Sequence, residues 1–128
     1  MAPNIYHLHP VVAGPLDEWP RHLARGRAMG FDHIGTAPLF APGAAGDIFL
    51  SADHERLNPT LVAGGEADAD AGIARLAEAC AGHELGLVLD VVLDRVAADA
   101  ALREREPDWF HRHEPFSDPP DPRRRPPP

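Results

Sequence analysis

A few side chains in this sequence could do chemistry, and their spacing limits what that chemistry is. His7 and His9 stand two apart at the end of Ile5-Tyr6-His7-Leu8-His9. In an extended chain, side chains two apart point the same way, so both imidazoles share one face. Such a pair supplies two ligands, whereas a catalytic zinc takes three protein ligands and a water. A metal-dependent hydrolase built on His7 and His9 is one reading, and polar lining at a strand end is the plainer one. His111 and His113 lie far along the chain in a polar stretch. Asp90 interrupts the apolar run from Leu87 to Leu93. A carboxylate buried there is costly unless partnered, so it either holds a structural hydrogen-bond network or borders a site. Asp94 and Arg95 follow at once, facing a site or pairing in solvent. Other chemistries lack their residues. Pro10-Val11-Val12-Ala13-Gly14-Pro15 does not have the spacing of a phosphate-cradling loop after the first strand. There is no Gly-x-Ser-x-Gly elbow, and the single cysteine, Cys80, falls in mid-helix, where it reads as a small core residue.

The elements that position these groups follow from the hydrophobic period. Residues 5–9 alternate and stop at Pro10, a short strand. Asp17 and Glu18 favour a helix start near Asp17, with Pro20 tolerated in the first turn. Leu16, Trp19 and Leu23 form its buried stripe, Arg21, Arg25 and Arg27 lie toward its other end, and Gly30 stops it. Phe31–Ala37 then runs extended into Pro38, and a glycine- and proline-marked loop extends to about Asp68. Asp68 and Asp70 open a second helix. Ile73, Leu76, Ala77 and Cys80 share its face, and Gly82 or Gly86 ends it. Leu87–Leu93 reads as a strand covered on both faces, as in a parallel sheet. A weaker helix spans about Val96 to Arg105 and stops before Pro107. Strand and helix alternate three times, which implies right-handed crossovers and a parallel α/β sheet. In such folds, function sits at the carboxyl ends of the strands. Here those ends are His7 and His9, the chain from Pro38, and Asp90 to Arg95.

Composition narrows the class. The chain has 128 residues, and all 12 of its basic residues are arginine, against 20 acidic ones. A net charge of −8 argues against a nucleic-acid partner, whose binding surfaces are basic. No apolar stretch has the length of a membrane span, and the N-terminus lacks a signal-peptide layout. With one cysteine available, an internal disulfide is not expected, and the chain reads as cytoplasmic. Residues 115–128 hold 7 of the 15 prolines and the run Arg123–Arg125. This segment reads as a disordered, proline- and arginine-rich tail, so the structured part is 1–114.

Three pieces of the chain resemble the α-amylase family, glycoside hydrolase family 13, whose catalytic domain is an eight-stranded β/α barrel. Leu16-x-x-Trp19 through Met29-Gly30-Phe31-Asp32-His33-Ile34 to Ala37-Pro38-Leu39-Phe40 is similar to the family's first helix and second strand. Phe49-Leu50-Ser51-Ala52-Asp53-His54-Glu55-Arg56-Leu57-Asn58-Pro59 is similar to its Gly-Tyr-Asp, Asp-Tyr and Asn-Pro segment. Asp90-Val91-Val92-Leu93-Asp94-Arg95 resembles its first conserved region, Asp-Val-Val-x-Asn-His, on the third strand. Glu106-Pro107-Asp108-Trp109-Phe110 is similar to the Pro-Glu-Trp-Phe stretch of the glucan:maltose-1-phosphate maltosyltransferases, and the opening Ile5–Pro10 also suits that subgroup.

The resemblance implies a partial (β/α)8 TIM barrel of about three β/α units acting on an α-glucan or maltooligosaccharide. It places Phe49, Asp53, Arg95 and His9 on the substrate side. Phe49 falls where the family's tyrosine stacks on a sugar, Leu50 replaces the following aspartate, and Arg95 replaces a substrate-contacting histidine. Asp94 falls at an asparagine that supports calcium, so calcium is the cofactor the family would suggest. The family's retaining mechanism needs two carboxylates about 5 Å apart, supplied by strands four, five and seven. This chain is expected to stop short of them, as the N-terminal part of a truncated or split barrel, catalytically silent and marginally stable alone. Its partners are then the rest of the barrel or a second copy, since open parallel edges recruit other chains. The competing reading is a non-catalytic α/β module that binds a saccharide or a protein.

Overall fold

The computed structural model describes residues 2–63 and 68–110. The expected tail, the boundary at residue 114, and His111 and His113 lie outside the described residues. Three strands, β1 (Ile5–Leu8), β2 (His33–Thr36) and β5 (Gly86–Leu89), form a parallel sheet in the order β1-β2-β5. Ile5 pairs with His33 and His33 with Gly86; at the other end Leu8, Thr36 and Leu89 are level. Helices fill the connections: α1 (Pro10–Ala13) and α2 (Trp19–Ala28) between β1 and β2, and α3 (Ala69–Gly82) before β5. The α/β class and the parallel sheet stand as expected.

One face of the sheet and the helices make the core. Leu8, Ile34 and Thr36 are buried against Trp19 and Leu23 of α2 and Leu76 and Cys80 of α3. Trp19 is wholly buried, and its indole N–H donates to the Gly14 carbonyl at 2.8 Å. Helix α2 crosses β1 closely at Gly26, where a Cβ would stand 2.9 Å from the Tyr6 ring. It ends before Gly30, whose φ of +93° suits glycine. Its start is two residues later than the acids suggest. Leu16–Glu18 form a 3-10 turn and the α-helix opens at Trp19, with Pro20 in its first turn.

Helix α3 is capped by Asp68, whose carboxylate accepts the Ala71 N–H at 2.8 Å. Its buried stripe is Ala69, Gly72, Leu76 and Cys80. Ala77, expected on that face, is exposed. Gly72 lies on this stripe, where its missing side chain admits Leu57, and the helical period places Ala77 to one side of the line from Ala69 to Cys80.

Three further expectations are corrected. The stretch 38–68 is not a plain loop. It holds an antiparallel pair, β3 (Phe40–Pro42) and β4 (Ser51–Leu57), and a 3-10 turn at Pro59–Leu61 capped by Asn58. Neither strand shows an apolar alternation, because only Leu57 and Ser51 of β4 are buried. The run Leu87–Leu93 is not one strand covered on both faces. β5 ends at Leu89, Val88 and Val91 are exposed, and Leu93 is 91% exposed. The cause is the neighbouring strand. β2 ends at Thr36, and Pro38 has no N–H to continue a ladder, so Asp90 N–H to the Thr36 carbonyl at 3.0 Å is the last rung. Asp90 is consequently exposed rather than buried in a network. The last helix, α4 (Ala101–Arg105), is half the expected length, with Ala97–Ala100 closing a turn before it.

Burial raises the Cys80 thiol above its ordinary range. A raised acid favours the protonated fold. Its contribution is whole below the unfolded thiol's value and is lost as pH rises through the folded one. At neutral pH, a thiol reagent should therefore label Cys80 only as fast as the chain unfolds, and immediate stoichiometric labelling would contradict this. Trp19→Ala should cost about 3–5 kcal/mol, read as a lowered urea midpoint. A loss below about 1 kcal/mol would show that Trp19 is not the keystone of the helix–sheet contact.

Candidate functional site

Beyond the carboxyl end of β5 the chain runs through residues 91–95, and the turn between β3 and β4 brings Phe49 over to it. Phe49 and residues 91–95 line an open depression of about 530 Å³. Local chemistry aims the ring. Asp47 accepts the Phe49 N–H on its carboxylate at 2.9 Å and the Leu50 N–H on its carbonyl at 3.0 Å, the side-chain-closed turn that aspartate favours. Ile48 is buried and pins the turn, leaving Phe49 48% exposed.

Facing the ring is an ion pair of sequence neighbours. Arg95 donates Nε–H to Asp94 Oδ1 at 3.0 Å and Nη2–H to Oδ2 at 2.9 Å. These bonds, then the charge of the guanidinium, hold Asp94 below the usual carboxylate range, and the same bonds raise Arg95. An exposed ring beside hydrogen-bonding groups suits a ligand with apolar faces and polar edges.

Three of the residues singled out in the sequence, Phe49, Asp94 and Arg95, are brought together here. Val91 to Leu93, read as strand, prove to be lining. Asp53 and His9 do not line this depression. Asp53 lies in β4 opposite Ala41, accepts the Glu55 N–H at 2.8 Å and sits 3.7 Å from the Arg56 guanidinium. His9 precedes α1 and does not cap it with its side chain, and His7 is exposed on β1. A second groove, of about 390 Å³ between α2, α3 and the end of β4, is lined by core residues such as Leu57 and Leu76.

The calcium suggested by the family does not fit the donors described. Calcium takes six to eight oxygens. Both Asp94 oxygens are engaged by Arg95. No group of three or more His, Cys, Asp or Glu that could hold a metal occurs among the described residues. No described helix is long and apolar enough to cross a membrane.

The chain is 34% identical over 109 residues to an alpha-1,4-glucan:maltose-1-phosphate maltosyltransferase of Burkholderia pseudomallei (strain K96243), an alignment covering 85% of this chain and 9% of that protein. Its fold is similar to an alpha-amylase from Lactobacillus plantarum (TM-score 0.71, 21% identity, 85% of this chain and 26% of that one). It is likewise similar to the maltogenic alpha-amylase AmyB from Thermotoga neapolitana (TM-score 0.69, 17% identity, 86% and 27%). No protein-family model matches the sequence. The chain thus spans a tenth or so of the curated relative and about a quarter of these solved structures. In sequence and in fold alike, it resembles the α-amylase family, as a partial β/α barrel.

Proposed function

We propose that this chain is the N-terminal part of an α-amylase-family catalytic barrel of α-glucan metabolism, and that it binds maltooligosaccharide without cleaving it. The observation that carries the reading is the depression shared by Phe49 and residues 91–95 at the carboxyl end of a parallel strand, where barrel enzymes place their sites. Phe49 packs on a sugar ring, with Asp94 and Arg95 offering hydrogen bonds at its edge. Asp53 and His9 serve the same substrate side farther from the depression. The catalytic carboxylates are supplied by strands beyond the three parallel strands described. The site works without calcium, because Arg95 already occupies Asp94. The reading places the chain in the cytoplasm, in keeping with its one buried cysteine.

Titration of the chain with maltoheptaose, followed by calorimetry and by reducing-end release, tests this directly. The expected result is saturable binding with no new reducing ends, and about fivefold weaker binding for Phe49→Ala, since an aromatic contact contributes about 1 kcal/mol. Hydrolysis would overturn the silent-chain reading, and an unaltered affinity in the variant would overturn the role of the ring. Added calcium should leave the melting midpoint where it is, because a ligand stabilises only what binds it. A concentration-dependent rise would show that Asp94 leaves Arg95 for the metal.

A further inference from the structure

We infer that Asp99 is a positioning residue for Phe49, an inference that rests on the sugar-binding reading of the depression. The turn that carries Phe49 joins β3 to β4 and touches the segment after β5 at two points. At its start, the Ala44 N–H donates to Asp99 Oδ2 at 2.9 Å. At its end, the Ser51 carbonyl accepts the Ala97 N–H at 2.9 Å. Between these ties Ile48 is buried, and in the segment after β5 Ala97 and Ala100 are buried too. The approach is as close as glycine allows. A Cβ on Gly43 would run into Asp99 Oδ1 and would stand 2.6 Å from the Ala97 Cβ.

The geometry has a direct consequence for the site. Residues 91–95 form one wall of the depression and lead straight into Ala97. Phe49, on the other wall, sits between Ala44 and Ser51. The two ties therefore set the distance between the walls. Asp99 touches no substrate in this arrangement. It acts by accepting the Ala44 N–H and holding the turn down, so that the Phe49 ring faces residues 91–95. Any acceptor oxygen of the same reach does the same work, and a negative charge is not required.

The test compares the full chain with Asp99→Ala, Asp99→Asn, Gly43→Ala and Phe49→Ala. Two readouts are taken on each: maltoheptaose affinity, and the aromatic carbon resonances of Phe49. Asp99→Ala should displace the Phe49 resonances and weaken maltoheptaose by up to about fivefold, the loss expected for Phe49→Ala, since a displaced ring forfeits at most its own contact of about 1 kcal/mol. The melting midpoint should hold, since the bond is exposed. Asp99→Asn should restore both readouts through its amide oxygen. Gly43→Ala should reproduce Asp99→Ala by pushing the two segments apart. Unmoved Phe49 resonances in Asp99→Ala would overturn the inference, and so would an Asp99→Asn variant that behaves like the alanine one. If the unaltered chain binds no maltoheptaose, the sugar reading falls, while the resonances still decide whether Asp99 positions the ring.

Discussion

The backbone pairing of β2 on both of its sides is the constraint on which the rest of the structure depends. His33–Thr36 bond to β1 on one side and β5 on the other, in registers that leave Leu8, Thr36 and Leu89 level. The chain therefore leaves all three strands at one rim, with neighbouring strands about 4.8 Å apart. That shared rim is why segments distant in sequence meet there. The register is held sterically as well. A slip by one residue exchanges the faces of a strand, which would drive a side chain into the place of Gly35. A Cβ at that place stands 2.8 Å from Ile5 Cγ2, while Ile34, wholly buried, would be turned to water.

The two faces of this sheet have unequal fates. One is closed by α2 and α3, with Ile34 and Thr36 at its centre. The other carries Ile5, His7 and Val88, all exposed, although parallel strands are ordinarily covered on both faces. In a barrel that face is the interior, filled by layers of side chains from alternate strands. The rows here have the alternation of size such layers need. The His33 ring lies over the bare backbone of Gly86, and Ile5 and His7 flank the bare Gly35. In the described residues His7, the first member of the pair that suggested zinc, stands on this uncovered face beside Gly35.

Local signals were legible in the sequence and long-range ones were not. Asp68 and the spacing from Ala69 to Cys80 define α3 within fourteen residues, and Gly30 ends α2 by its own conformation. The length of β5 could not be read this way. Apolar residues continue to Leu93, but a strand lasts only as long as its partner, and β2 stops before Pro38. For the same reason Asp90 is not buried in a network, and of its two readings the one left is that it borders the candidate site, one residue before Val91. The β3–β4 pair carries no periodic signal, because β3 is three residues long and in β4 only its two ends, Ser51 and Leu57, are buried. In the site, Phe49 was legible through the family resemblance, since a turn phenylalanine carries no periodic signal. Asp99 was not legible at all, because its partner Ala44 lies 55 residues earlier and no sequence pattern links a carboxylate to so distant an amide.

The charge state of the rim bears on what can occupy it. The chain as a whole carries −8, so a free arginine at a strand end would be the natural place for a phosphate or carboxylate to land. Arg95 is not free in that sense. Two of its donors are committed to Asp94 in fork geometry, and an anion must displace a carboxylate tethered one residue away. Both side chains are largely exposed, where such a pair contributes little to stability. Its effect is instead on selection. The pair itself carries no net charge and stands beside an aromatic ring, with exposed Asp90 adding a carboxylate just before it. A phosphorylated sugar would need the remaining Arg95 donors together with residues from other strands. The depression formed by these residues alone thus offers an aromatic face and an internally paired charge, with two Arg95 donors already spent.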